Sequence, residues 1–372
     1  MVEAIPNQEE NQAQSSPNKI NRRDFLKWVG RGGLTLGTLF LFGGGTDRQE
    51  RQLSLQISNK EKPVSILPDT PDGHISMVDD NFWLMSGTET KLVTGNLEDS
   101  KLMETQTVLS PQRQMTEYGW AGYAGISCVL ADKGAGKLWG FTHEEHWPDA
   151  QTYFPFAAHI GLVSSTDNGH TWQKHDLAIG GQAGLIKPDI NSGEVRGAGQ
   201  PAAIIKDNEV WLYYVDWNGR SPDAIHLAKA PLDQIDNPQA WQGYNQGSFV
   251  EASQKSSQAV ISPQERDGYA ALPSISFNRA LNKFLAIFET NLGFKVATSE
   301  NGIDWEHRGY LAQFPQARSD TKSGDTWYSY PTFLTPSTRN HTLTGFDGFL
   351  YYSKGDWAEG SHRMFRRAVS FV

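Results

Sequence analysis

The chain has 372 residues, with 33 Lys and Arg against 42 Asp and Glu, and a formal net charge of −9 at pH 7. That balance, with no basic run beyond the N-terminal segment, argues against a nucleic-acid partner. The single cysteine, Cys128, excludes an internal disulfide and falls on an apolar strand, where it reads as a core residue. The chain is rich in Gly and Trp, and its apolar runs are aromatic and β-branched. No long helical periodicity follows residue 50, so the fold class is all-β.

Residues 1–20 are polar and rich in Gln, Asn and Pro, a composition that reads as disordered. Residues 21–49 begin Asn21-Arg22-Arg23-Asp24-Phe25-Leu26-Lys27 and continue as a weakly apolar stretch from Trp28 to Gly45. This resembles a twin-arginine export signal, S/T-R-R-x-F-L-K, with Asn21 standing where Ser or Thr is usual. The apolar run is Gly-rich and carries Arg31, which makes it a poor permanent membrane span. The resemblance implies the twin-arginine translocase as a partner and the periplasm, cell surface or thylakoid lumen as the destination. No A-x-A site follows Gly45 and no Cys is set for lipid attachment, so an uncleaved signal would act as an anchor. Residues 50–69 read as a linker and residues 70–372 as one domain.

Within that domain, strand and turn signals recur in chain order. His74 to Val78, a turn at Asp79-Asp80-Asn81, and Phe82 to Met85 open the series. The next unit runs from Ala124 through the Lys137 and His159 strands to Trp172. A third runs from Gly199 through Val210–Val215 to Trp241, and a fourth from Ala271 through Lys283–Phe288 to Trp305. Tyr330 to Phe371 reads as the last. The Trp positions 172, 241 and 305 lie 69 and 64 residues apart, the size of one four-stranded blade with long loops. About 300 residues divided by about 60 predicts a five-bladed β-propeller of four-stranded antiparallel blades.

Two of these units carry one phrase. Ser165-Thr166-Asp167-Asn168-Gly169-His170-Thr171-Trp172 and Thr298-Ser299-Glu300-Asn301-Gly302-Ile303-Asp304-Trp305 both read S/T-x-D/E-x-G-x-x-W after an apolar strand. An acidic side chain caps the turn, Gly supplies positive φ, and the Trp staples the turn to the sheet. The phrase resembles the Asp-box of sialidases and the similar phrase of five-bladed glycoside hydrolases, where it is structural.

In a propeller, the start of each first strand and the end of each second strand share one rim. Strand starts offer Asp72, Glu117, Tyr118, Arg196, Gln200, Tyr269, Asp325, Tyr328 and Tyr330. Strand ends offer His143, Glu144, Glu145, His146, Asp216, Trp217 and Glu289. Aromatic faces stack on sugar rings and carboxylates do acid–base work, so this mix points to carbohydrate. Glu144, Asp216 and Glu289 are the catalytic candidates, with Asp216 and Glu289 expected to face one another across the funnel. His143, Arg196, Gln200, Trp217, Tyr269 and Tyr330 are the binding candidates. His143 and His146 fall on opposite faces of an extended segment, which opposes a two-His metal site. No cofactor is predicted, and a structural ion in the central channel stays open.

The whole of residues 70–372 resembles the five-bladed glycoside hydrolase superfamily of arabinanases, xylosidases and fructosidases in blade layout and box phrases. The resemblance implies an Asp base, a second Asp that tunes pKa and a Glu acid on inner strands. Asp72 sits where the base is expected. Gly199-Gln200-Pro201 and Leu272-Pro273 carry none of the other acids. A sialidase is less well matched, since no Arg-Ile-Pro phrase precedes the first blade. The leading reading is an exported glycoside hydrolase-like propeller. The alternatives are a non-catalytic carbohydrate-binding or scaffold propeller, and a metal-assisted lyase or hydrolase using the His143–His146 segment.

Overall fold

The structure is a computed structural model. It describes residues 55–64, 73–78, 82–96, 101–152, 155–179, 194–217, 223–251, 257–314, 326–335, 338, 340–356 and 361–371. The export-signal reading and Asp72 lie outside the described residues. Among the described residues there is no α-helix, only single 3-10 turns at Leu232–Gln234 and Pro238–Ala240.

Two short strands come first, β1 (Leu55–Ile57) and β2 (Lys62–Pro63). The first antiparallel group is β3 (Ile75–Met77), β4 (Phe82–Met85), β5 (Thr90–Asn96) and β6 (Lys101–Leu109). The second is β7 (Met115–Thr116), β8 (Gly119–Asp132), β9 (Lys137–Trp147), β10 (Ala157–Ser165) and β11 (Gln173–Ile179). The third is β12 (Arg196–Lys206), β13 (Glu209–Asp216), β14 (Ile225–Pro231), β15 (Gln242–Asn245), β16 (Ser248–Glu251) and β17 (Ala259–Ile261). The fourth is β18 (Ala271–Asn278), β19 (Lys283–Thr290), β20 (Gly293–Ser299) and β21 (Glu306–Gln313). The fifth is β22 (Thr326–Leu334), β24 (Asp347–Asp356) and β25 (Ser361–Phe371), while the intervening β23 (Leu343–Thr344) pairs with β18. A short parallel bridge, Ala157 to Arg196 and Ala158 to Gly197, joins the second and third groups.

Within the stretch read as a linker, Leu55–Ile57 and Lys62–Pro63 form strands. Leu55 pairs with Phe371 and Lys62 with Arg366, so β1 and β2 extend the fifth group with chain from before the first. Glu61 fastens this closure by accepting from Tyr352 Oη, from Lys354 Nζ at 2.5 Å and from Arg367 Nη2 at 3.3 Å.

Apolar clusters lie between successive groups. Leu84 and Leu92 meet Ile126 and Val163 between the first and second. Phe141 and Leu162 meet Leu212 and Tyr214 between the second and third. Tyr213 and Leu227 meet Phe284 and Phe288 between the third and fourth. Ile287 and Phe294 meet Phe333 and Tyr352 between the fourth and fifth. Leu334, Tyr351 and Met364 then meet Ile75, Met77 and Val93, which brings the fifth group back onto the first. Each fully buried Leu, Ile or Phe side chain contributes roughly 1.5–3 kcal/mol. The packed alternation of β13 and β19 thereby fixes which way each residue at the strand ends points.

The repeated phrase forms the expected turn, with one slip of frame. Ser165 Oγ accepts from Gly169 N at 2.9 Å, Asp167 Oδ1 accepts from Thr171 N, and Trp172 Nε1 donates to Gly169 O. In the second copy Ser299 Oγ accepts from Gly302 N at 2.9 Å, Asn301 Oδ1 accepts from Ile303 N and Asp304 N, and Trp305 Nε1 donates to Gly302 O. Asn301, not Glu300, therefore caps this turn, and Glu300 pairs with Lys283 at the surface. Both glycines have positive φ, 82° and 83°.

Candidate functional site

The site is organised by a feature of three first strands. Gln200, Leu272 and Tyr330 have φ of 54°, 52° and 58°, and each precedes a proline. The pairing jumps from Gly199–Val215 to Ala202–Tyr213, from Ala271–Glu289 to Ser274–Ile287, and from Ser329–Ser353 to Thr332–Tyr351. Proline has no N–H for the ladder, so one extra residue is bulged out at the same place in each strand. A non-glycine residue in the left-handed region costs roughly 1–2 kcal/mol. Repeating that strain three times is the mark of a built position.

The bulges join neighbouring groups. Leu272 N donates to Gln200 Oε1 at 3.1 Å, and Gln200 N donates to His143 Nδ1 at 3.4 Å. With Nδ1 accepting, His143 Nε2–H donates to Glu145 Oε1 at 3.1 Å, and Trp147 Nε1 donates to the other oxygen at 2.9 Å. On the opposite side His74 Nδ1 is hydrogen-bonded to Thr332 Oγ1 at 3.2 Å, and its ring meets Tyr330 edge-on at 5.9 Å. Beside this ring lies an aromatic cluster drawn from the second to the fifth group, with Phe156, Trp217, Tyr269, Trp327 and Tyr330. Trp217, Gln200, Tyr269, Tyr330 and His143 are thus brought together. Arg196 lies at the start of β12, half-exposed, 3.4 Å from Glu194.

The carboxylates differ sharply in surroundings. Glu144 is buried, accepts from Thr142 Oγ1 at 2.9 Å and Lys174 Nζ at 2.6 Å, and sits 3.1 Å from His159 Nε2. Burial alone would raise its pKa, but His159 and Lys174 outweigh that and hold it below the usual carboxylate range. It is therefore a fixed anion. Glu289 is buried and accepts from Tyr269 Oη and Ser329 Oγ, both at 2.6 Å.

Asp216 and Glu289 do not occupy equivalent positions. Counted from the bulges, Glu289 is matched by Val215, and Asp216 by Thr290. A one-residue offset turns a side chain to the other face. Asp216 shares its face with Tyr214, which packs on the second group, whereas Glu289 shares the face of Ile287 and bonds Ser329 of the fifth. They point to opposite sides, and the expected confrontation across the funnel is not formed.

The residue that sequence reading missed is Asp223. It is buried, and its Oδ2 accepts from Trp217 Nε1 at 3.2 Å, while its carbonyl accepts from Ala270 N at 3.0 Å. Burial pushes its carboxyl up to about 6, opposed by the Trp217 bond and reinforced by the Asp216 charge. It precedes β14 and ends no strand, so the rim rule did not select it. His74 was read only as a strand start. Burial pushes its imidazole down to about 4, with His143 adding to the fall.

His146 stacks on His159 at 4.9 Å, whereas His143 packs against Tyr123 and Trp217, so the two histidines diverge as the extended segment requires. Among the described residues no group of three or more His, Cys, Asp or Glu could hold a metal ion.

No family model matches the chain, and no curated protein matches its sequence. Solved structures do share its fold. Zg3597, a family 117 glycoside hydrolase from the marine bacterium Zobellia galactanivorans, aligns over 86% of this chain and 90% of its own, with TM-score 0.51 and 10% identity. The catalytic domain of the Coprinopsis cinerea GH62 α-L-arabinofuranosidase aligns over 86% and 97%, with TM-score 0.50 and 12% identity. RS223-β-xylosidase aligns over 84% and 95%, with TM-score 0.50 and 11% identity. The chain thus has an all-β fold similar to that of β-propeller glycoside hydrolases.

Proposed function

We propose that this chain is an exported five-bladed β-propeller that acts on a glycan at its funnel mouth. The inner strands are β3, β8, β12, β18 and β22, and the outer strands are β6, β11, β15, β21 and β1. The five inter-group clusters, the last of which returns to the first group, support this blade count. The observation that carries the functional reading is Trp217 and its acid pair. A buried carboxyl, Asp223, keeps its proton up to about pH 6, well above the usual Asp range, beside Asp216 and next to four further aromatic side chains.

Glycoside hydrolysis needs one protonated and one ionised carboxyl. In this reading Asp223 gives its proton to the departing glycosidic oxygen, and Asp216 raises its pKa. Asp72 keeps the base role implied by the family resemblance and takes the proton of the attacking water. Glu144 and Glu289, each already bonded at both oxygens, orient the rim. The experiment is turnover of aryl-glycosides and natural polysaccharides by the purified protein beside Asp223→Asn and Asp216→Asn. Turnover that disappears in Asp223→Asn supports the assignment. Turnover unchanged in both variants contradicts it.

A second reading, a carbohydrate-binding propeller without catalysis, is favoured by Gln200 and Leu272 at the bulges where acids are expected. Glycan binding without turnover in all three proteins would support it. Export by the twin-arginine route rests on Arg22 and Arg23. Replacing both with Lys is expected to hold the protein in the cytoplasm, and unchanged export would refute the route.

A further inference from the structure

Two buried polar atoms beside the ring of bulges have no hydrogen-bond partner within the protein, His74 Nε2 and Ser86 Oγ. His74 is 4% exposed and Ser86 1%. They belong to one place. Ile75 pairs with Met85, and Ser86 N donates to His74 O at 3.0 Å, which makes His74 and Ser86 the next cross-strand pair. Such pairs project from the same face of a sheet, with Cβ atoms about 5 Å apart. That face looks toward the second group, since Ser76, two residues on, donates to Ser127 O.

The surroundings close tightly on Ser86. A Cβ on Gly125 would lie 2.4 Å from Ser86 Oγ, and one on Gly73 would lie 2.7 Å from it. Neither glycine has positive φ, so glycine is needed there for space and not for backbone conformation. Gly125 pairs with His143, and Thr332 holds the other imidazole nitrogen of His74. Buried polar groups left without partners are costly and rare, and a pair on one face marks a position that a ligand satisfies.

We propose that His74 Nε2 and Ser86 Oγ form a seat at the funnel floor for one hydroxyl group of a neutral sugar. The inference rests on the glycan reading above and names how that site takes hold of its ligand. The chemistry selects a hydroxyl. An uncharged imidazole nitrogen either donates or accepts according to tautomer, and a serine hydroxyl does both, as does a sugar hydroxyl. A neutral His74 offers no charge to an anion.

The test is the side-chain 15N spectrum of the full chain labelled at histidine, with the His74 signal assigned from a His74→Gln variant. The probes are L-arabinose, D-xylose and D-galactose, with glycerol as the non-sugar control, and affinities are measured by calorimetry. The expected result is a saturable shift of the His74 Nε2 signal with at least one sugar and none with glycerol. Ser86→Ala is then expected to weaken that sugar by fivefold or more while raising the melting temperature of the free protein, a combination that a purely structural serine would not produce. A sugar that binds wild type and Ser86→Ala equally, with the His74 signal unmoved, overturns the seat and leaves the glycan reading standing. Failure of every sugar to bind overturns both.

Discussion

Trp217 Nε1, at the start of the connection between β13 and β14, donates to Asp223 Oδ2 near its end at 3.2 Å. This bond opposes, without reversing, the rise of the Asp223 pKa to about 6. The folded value lies above the unfolded one, so the folded state binds more protons between about pH 4 and 6. Asp223 therefore favours folding below about pH 4, and the benefit is lost as pH rises through 6. At pH 7.5 its ionised, buried carboxylate costs roughly 3 kcal/mol. Asp223→Asn is expected to raise the urea midpoint at pH 7.5 and to leave it unchanged at pH 3.5.

His74 has the opposite linkage. Its pKa falls from 6.5 to about 4 on folding, so the unfolded chain binds the extra proton between those values. Stability is fully present above pH 6.5 and declines as pH falls toward 4, by roughly 3 kcal/mol for this residue. Urea titrations from pH 7 to 4 should show that loss, and His74→Gln should flatten it.

The Asp267–Lys295 pair is the most deeply buried ion pair among the described residues, at 2.6 Å with side chains 2% and 3% exposed. Asp267 also accepts from Gln264 N and from Tyr310 Oη. The same loop carries Tyr269, which bonds Glu289, and Ala270, which bonds the Asp223 carbonyl. Removing one partner of a buried pair leaves an uncompensated charge, so Lys295→Met is expected to cost about 3–5 kcal/mol by urea denaturation.

Gly199 lets His143 and Trp217 approach β12. A Cβ there would lie 2.3 Å from His143 Nδ1 and 2.9 Å from the Trp217 ring. Gly199→Ala is expected to destabilise by about 1–3 kcal/mol and to shift the tryptophan emission. An unchanged spectrum and stability would contradict the close packing of these three residues.

Much of the fold is legible in the sequence because turns and strand periodicity are local. The Gly-x-x-Trp turns at 169–172 and 302–305 form as read, and Trp241 is buried with its Nε1 donating to Ile235 O. The frame slip at Ser299 and Asn301 is hidden because Thr298 and Glu300 offer the same chemistry one residue earlier. The role of residues 55–63 depends on pairing with strand residues some 300 positions away, which no local pattern reports.

The site was legible in part. Trp217, Tyr269 and Tyr330 follow from the rim rule and meet in one cluster. The misjudged relation of Asp216 to Glu289 comes from register: β12 and β18 carry the same bulge, but Asp216 stands one position beyond the residue that matches Glu289, which only the cross-strand pairing discloses. Asp223 became visible only through its burial and its tryptophan partner.

The measurement that tests the account most directly is the rate of glycoside cleavage by the purified protein across pH 4–9 on aryl-glycosides and polysaccharides, beside Asp223→Asn. The account predicts turnover that falls as pH rises through about 6, following deprotonation of Asp223, and loss of turnover in a variant that still folds and still binds glycan. Wild-type turnover in the Asp223→Asn variant, with an unchanged pH profile, would contradict it.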